Sequence, residues 1–205
     1  MVRLAKFNED HFIDAAIEIA AHCGVAAVSI AAIANKTGAP VGSVYHRFES
    51  RDTILARAWL KVKHDFRLSV ASQWALGDSW QSVASFLLWC RSNPVYAQFL
   101  VQCEHNTVFN ESLSPELHAQ LEAEQSALDA CFGLALQSAR QQLRDDDIET
   151  LMRFVLIDAP SAIVKPYLIQ HRPIPTSIDA MLRASHDALC VWARPAPALT
   201  PALTT

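Results

Sequence analysis

Between Ser29 and Arg51 the sequence gathers hydroxyl, phenol, imidazole and guanidinium groups at close spacing: Ser29, Thr37, Ser43, Tyr45, His46, Arg47 and Arg51, interleaved with Pro40, Val41 and Gly42. Glu49 is the single acidic side chain in this stretch. Neutral and cationic donors of this kind suit phosphate oxygens. Tyr45, His46, Arg47 and Arg51 can each donate to phosphates flanking a nucleic-acid groove, while Gly42 and Ser43 are small enough to admit base edges.

Patterns for bond-breaking chemistry are missing. No Gly-rich phosphate loop, His-Glu-x-x-His, Gly-x-Ser-x-Gly or Cys-x-x-Cys occurs. Ser185, His186 and Asp187 are consecutive, so on a helix they face different directions and cannot form a triad among themselves. His118 and Glu122 are four apart and read as a surface contact. No catalytic residue, metal site or cofactor is expected.

The donors of 29–51 require two short helices to present them. Ser29 stands at an N-cap position for a helix over 30–36 with Ile30, Ile33 and Ala34 on one apolar edge. Gly38 can take the left-handed conformation that ends it, and Pro40 suits the first position of a second helix ending near Phe48. There Val44 and Phe48 turn inward, leaving Val41, Gly42, Ser43, Tyr45, His46 and Arg47 outward. Ser50 caps a third element. Helix, short turn and helix is the geometry that lays one helix in a DNA major groove.

The block Gly38-Ala-Pro-Val-Gly-Ser-Val-Tyr-His-Arg-Phe48, followed by Glu49-Ser-Arg-Asp52, resembles the recognition-helix signature of TetR-family transcriptional regulators. The resemblance covers about the first third of the chain. It implies an all-α protein: an N-terminal three-helix head with a helix-turn-helix, and a C-terminal helical domain for ligand binding and dimerisation. It assigns Val41, Gly42 and Ser43 to the groove-facing surface, Tyr45, His46 and Arg51 to phosphates, and Ser29 and Thr37 to contacts around the turn. Val41 stands where Lys is frequent in the family and Arg47 where His or Tyr is frequent, so the operator sequence stays open.

Composition supports a helical chain. Of 205 residues 51% are hydrophobic and only 5 are Gly, and no strand-like alternation persists. The net charge is −4, but residues 1–68 carry +2 and the remainder −6, a mildly basic front on an acidic body. The longest stretch without a charged residue, 19–35, is interrupted by His22, Gly24 and Ser29, so no membrane span or signal peptide is indicated and the reading is cytoplasmic. Cys23, Cys90, Cys103, Cys131 and Cys190 are odd in number and widely spaced, reading as reduced thiols.

In chain order, residues 1–7 form an arm with Arg3 and Lys6. A first helix starts at Asn8 with a Phe7/Phe12 staple and ends at Gly24. The expected division is a DNA-binding domain over 1–49, a connecting helix over 50–70, a ligand-binding and dimerisation domain over 71–194, and a disordered tail over 195–205. The connecting helix carries Ile54, Leu55, Ala58, Trp59, Val62 and Phe66; in the family resembled it transmits ligand binding to the head. Helices follow over 79–92, after Pro94, and over about 115–142, with a loop over 104–114 and Asp145-Asp146-Asp147 opening the next helix. Helix 148–170 is apolar on more than one face, with Pro160 bending it. A last helix over 176–193 turns Ile178, Met181, Leu182, Leu189, Val191 and Trp192 to one side. These last two helices are the expected homodimer interface, pairing with their symmetry mates as a four-helix bundle.

Aromatic residues of the body suggest a small-molecule pocket. Phe86, Trp89, Tyr96 and Phe99 are the candidates, with Cys103, Phe132 and Asp158, and with Gln102, His105 and Phe109 as further neighbours. The chain therefore reads as a dimeric, ligand-responsive regulator of a palindromic duplex operator, most simply a repressor. Two other readings stay open at this point: a helical interaction module that has kept the head's shape, and an all-helical enzyme acting on an apolar substrate.

Overall fold

The computed structural model describes residues 8–103, 113–141, 143 and 147–193, and its described elements are helical throughout. The N-terminal arm, Phe7 of the staple, His105, Phe109, most of the 104–114 loop, Asp145, Asp146 and the 195–205 tail lie outside the described residues.

α1 (Glu9–Cys23) opens on a reciprocal cap. The Asn8 side chain accepts from the His11 amide at 2.9 Å, and His11 Nδ1 accepts from the Asn8 amide at 3.3 Å. His11 thus does what Glu or Gln does in the usual capping box. Gly24 ends the helix at φ 84°, and a single tight turn, Val25–Ala27, leads to α2 (Ile30–Thr37). Ser29 caps α2 by accepting from the Ala32 amide, and Gly38 closes it in the left-handed region at φ 66°. Pro40 stands at the N-cap of α3 (Val41–Tyr45), one position earlier than the sequence suggests, and α3 is correspondingly short; residues 46–48 complete it as a turn.

α4 (Arg51–Phe66), capped by Ser50, begins a helical run that passes the expected end at 70. It continues through a π-helical turn, Arg67–Ala71, into α5 (Ser72–Trp74). α6 (Ser79–Ser92) starts at the Asp78 cap, and α7 (Pro94–Cys103) follows directly. α8 (Pro115–Ala139) is the long helix of the body. Then α9 (Ile148–Arg153) and α10 (Ala159–Ile169) are joined by a π-helical turn, Phe154–Asp158, in place of the simple bend expected at Pro160. Proline has no N–H and its ring crowds the carbonyl one turn back. The backbone answers by widening that turn, so the Ala159 amide reaches back five residues to the Phe154 carbonyl.

The last helix, α11 (Ser177–Trp192), is clamped to α6 by Arg91, which meets Asp179 at 2.8 and 3.0 Å and donates to the Ile174 and Pro175 carbonyls. Ile178 and Leu182 face inward as expected. Met181, Val191 and Trp192 do not: they are 61%, 68% and 69% exposed. The inward stripe of α11 is narrower than the sequence pattern suggests, because its cover comes mainly from α6 and α10.

One continuous core runs from Phe12 in α1 to Leu182 in α11. Within it Phe12, Ile33, Val44 and Phe48 seat α1, α2 and α3 on one another, with Phe12 and Phe48 edge to face at 6.3 Å. α1 also packs on α4 and α7, which seats the first three helices on the rest of the chain. No helix among the described residues is long and apolar enough to cross a membrane.

Candidate nucleic-acid interface and interior cavity

Local sequence explains why α3 presents its face outward. Val44 and Phe48, four apart, are buried at 0% and 1% exposure, and they anchor the helix to α1 and α4. The opposite side carries Val41 and Tyr45, 44% and 62% exposed, with Gly42 and His46 also exposed. A Cβ built on Gly42 meets no atom of the described residues within 4 Å, and its backbone is ordinary helix. Glycine inside a helix costs about 0.5–1 kcal/mol against alanine, and nothing in the fold requires it here. The space over Gly42 is open on the side away from the protein.

The polar groups around α3 divide into two sets. Tyr45 and His46 stand on the outward side, Ser43 is half-buried, and the Ser29 oxygen is already an acceptor in its cap. Thr37 donates its hydroxyl within α2, to Ile33 and Ala34. Arg47, expected outward, curls back: it is half-buried, donates to the Ser43 carbonyl at 2.9 Å and lies over the Phe12 ring.

Arg51 departs furthest from the phosphate role expected of it. Its Nε donates to the Val28 carbonyl and one terminal nitrogen to the Val25 carbonyl, both at 2.6 Å, while the other nitrogen meets Asp52 at 3.2 Å. The guanidinium fastens the start of α4 to the turn between α1 and α2. Two carbonyls of that turn supply the acceptors, the Val25 oxygen accepting from the Val28 amide at 3.2 Å as well, and sequence spacing cannot reveal this.

Inside the body lies a cavity of about 460 Å³ bounded by α4, α6, α7, α8, α9 and α10. Phe86, Trp89 and Phe132, expected at a pocket, are in its wall. Four other candidates are not. Phe99 is wholly buried beside Trp59, and Cys103 is buried with its thiol pushed up to about 12 by desolvation. Tyr96 sits at the α1 side, its phenol pKa raised first by burial, with the Lys61 charge opposing and nearby carboxylates adding. Asp158 is half-exposed on the outer face, 3.9 Å from Arg153.

The wall has polar members that sequence reading passed over: Lys63, Gln125, Asp129, Ser161 and Lys165. For Lys63 a signal existed, since it lies four residues after Trp59 and three before Phe66, on the same helical face. Its Nζ rests 4.9 Å from the Trp59 ring centre. Desolvation lowers its pKa below the usual 10.5, with Asp129 and Glu124 opposing. Trp74, which packs on Phe66 and Phe132, has an indole N–H with no acceptor among the described residues. A buried donor in that state costs about 1–3 kcal/mol.

Trp89 carries the cavity wall to the connecting helix, donating to Asp65 Oδ2 at 2.6 Å. On α4 and α8, Arg67 and His64 hold Glu124 at 2.5 and 3.3 Å. Their hydrogen bonds outweigh the opposing desolvation and keep that carboxyl below its ordinary range. Elsewhere His186 does find a hydroxyl, but it belongs to Ser79 at the start of α6, at 2.8 Å, and not to Ser185. Asp187, 3.1 Å from His186, is shared with Arg183, and the chain of contacts ties α11 to α6.

Comparison with known proteins agrees with this arrangement. Residues 12–58 match the model of bacterial regulatory proteins, tetR family, a span containing α2, α3 and their turn. No curated protein sequence matches the chain. Among solved structures, a TetR family transcription regulator from Marinobacter aquaeolei superposes with TM-score 0.69 at 13% identity, covering 92% of this chain and 96% of that one. The TetR family transcriptional regulator PfmR from Thermus thermophilus gives 0.62 at 20%, over 91% and 97%. The transcriptional regulator FadR from Bacillus subtilis, in complex with stearoyl-CoA, gives 0.60 at 15%, over 89% and 98%. The head is thus matched in sequence by the tetR family model over residues 12–58, and the whole chain shares the fold of solved TetR-family regulators.

Proposed function

We infer that the protein acts as a homodimeric, ligand-responsive repressor that lays α3 in the major groove of a palindromic operator. The observation that carries this reading is the outward face of α3, where Gly42 leaves open space between the exposed Val41, Tyr45 and His46. Val41, Gly42 and Ser43 meet base edges, Tyr45 and His46 donate to phosphates, and Ser29, Thr37 and Pro40 border the contact. Arg47 and Arg51 are left to hold the head together.

The head is read as residues 1–49, the connector as 50–70 and the body as 71–194. The cavity is the effector site, a reading supported by its aromatic wall and by the stearoyl-CoA carried by a protein of the same fold. An effector that favours the form with the heads spread apart lowers operator affinity by population shift. Reversing a 99:1 population takes about 5.5 kcal/mol of differential binding, within the reach of one well-buried ligand. The route to the head is α4, whose Asp65 is bonded to the cavity wall through Trp89.

Dimerisation is proposed through the faces of α10 and α11 that the monomer leaves bare, with Met181, Val191 and Trp192 joined by the 43% exposed Phe154 of the π-helical turn. A symmetric pair supplies two half-site contacts. Fluorescence anisotropy with duplex DNA from upstream of the protein's own gene, at several salt concentrations, tests the reading. Saturable binding whose affinity falls steeply with salt is expected. Equal, weak binding to that duplex and to unrelated DNA would count against it.

A further inference from the structure

The charge and hydrogen-bonding character of the cavity wall is one-sided. Among the described residues of the wall, Lys63 from α4, Arg153 from α9 and Lys165 from α10, the last not without a partner, stand against one carboxylate, Asp129 from α8. Glu124, also near Lys63, is engaged by Arg67 and His64. Arg153 has Asp158 at 3.9 Å. Lys63 Nζ has no hydrogen bond or ion pair among the described residues and stands over the Trp59 ring. The indole N–H of Trp74, also in the wall, lacks an acceptor among the described residues. The wall joins aliphatic side chains of α7, α8 and α10 to an aromatic cluster, in which Phe66 stands edge-on to Trp74, Phe86 and Trp89 at 6.2, 6.3 and 5.3 Å. Such a wall offers ring edges and faces to a flat apolar body. A desolvated cation facing a cavity is stabilised by an occupant that brings negative charge.

Resting on the reading of the cavity as the effector site, we propose that its occupant is an amphipathic organic anion. A ring-bearing apolar body packs among Trp59, Phe66 and Trp89, and a single carboxylate- or sulfonate-like head is held by Lys63. A neutral apolar molecule of the same shape fills the space but leaves the ammonium without a partner, which sets the preference.

The test uses two fluorescent probes with the same ring body, anilinonaphthalene sulfonate and the uncharged phenylnaphthylamine, titrated into the full chain with energy transfer from the wall tryptophans as readout. The sulfonate is expected to bind about tenfold more tightly than the amine, the size of one charge-assisted contact. Lys63→Met removes that preference and leaves the amine within about twofold of its wild-type affinity. Asp129→Asn, which deletes the competing carboxylate, tightens the sulfonate alone. Equal affinity of the two probes for the wild type, or a preference that survives Lys63→Met in a protein with a normal melting curve, overturns the anionic class while leaving an effector cavity in place. Energy transfer from neither probe overturns both.

Discussion

The indole N–H of Trp89 and the carboxylate of Asp65 meet at 2.6 Å, joining the wall of the interior cavity to α4, the helix that begins beside α3. Because Trp89 is almost wholly buried, its donor and the facing carboxylate depend on each other. Trp89→Phe keeps the ring volume roughly but strands the carboxylate. A loss of about 1–3 kcal/mol in urea unfolding is expected. Adding Asp65→Asn should recover part of it, since the charge left without its donor is then gone; a double variant no more stable than Trp89→Phe alone would show the contact to be of little weight.

Gly42 separates fold from function. Gly42→Ala fills space that no protein atom occupies, so the fold gains about 0.5–1 kcal/mol while operator affinity falls. Thermal melts and anisotropy on the same variant check both signs. A variant that is less stable would place that face against protein.

Arg51 is expected to matter for stability and not for phosphate contact. With two carbonyls and Asp52 as its partners, Arg51→Ala should cost about 1–2 kcal/mol, discounted for its partial exposure. The slope of log affinity against log salt should stay as in the wild type. A slope reduced by about one would return the residue to the phosphate set.

Glu124 gives the fold an acid limb. Its carboxyl is held below the ordinary 4.5 by Arg67 and His64 against desolvation. A carboxyl with a depressed folded-state pKa contributes stability that is fully present above 4.5 and is lost as pH falls through the folded value. Arg67→Met should therefore lower Tm at neutral pH and flatten its decline on acidification. Lys63 has the reverse character for a base: desolvation lowers its pKa, so its charge burdens the fold at neutral pH and the burden lifts as pH rises toward 10.5. Lys63→Met should raise Tm at pH 7; an unchanged Tm in both variants would contradict these signs.

Capping carried most of what could be read from the chain. Asn8, Ser29, Gly38 and Ser50 fall where helices start or stop, because short polar side chains and glycine satisfy helix ends by local geometry alone. The outward face of α3 followed from the spacing of Val44 and Phe48. What stayed hidden depends on long-range packing. The π-helical turns at 67–71 and 154–158 set the phase of whole helices, and the first has no sequence signature. The carbonyls that claim Arg51 come from residues 23 and 26 positions earlier. Tyr96 and Phe99 share α7 with Ala97 and Leu100, yet only the latter two face the cavity, a choice made by where α1 and α4 press on that helix.

Affinity for the duplex upstream of the protein's own gene, compared between wild type and Gly42→Leu at one salt concentration, tests the central claim most directly. A leucine projecting from the open face of α3 should leave the melting temperature near wild type and weaken operator binding by at least about tenfold. Undiminished operator binding by a well-folded Gly42→Leu protein would show that this face does not meet DNA.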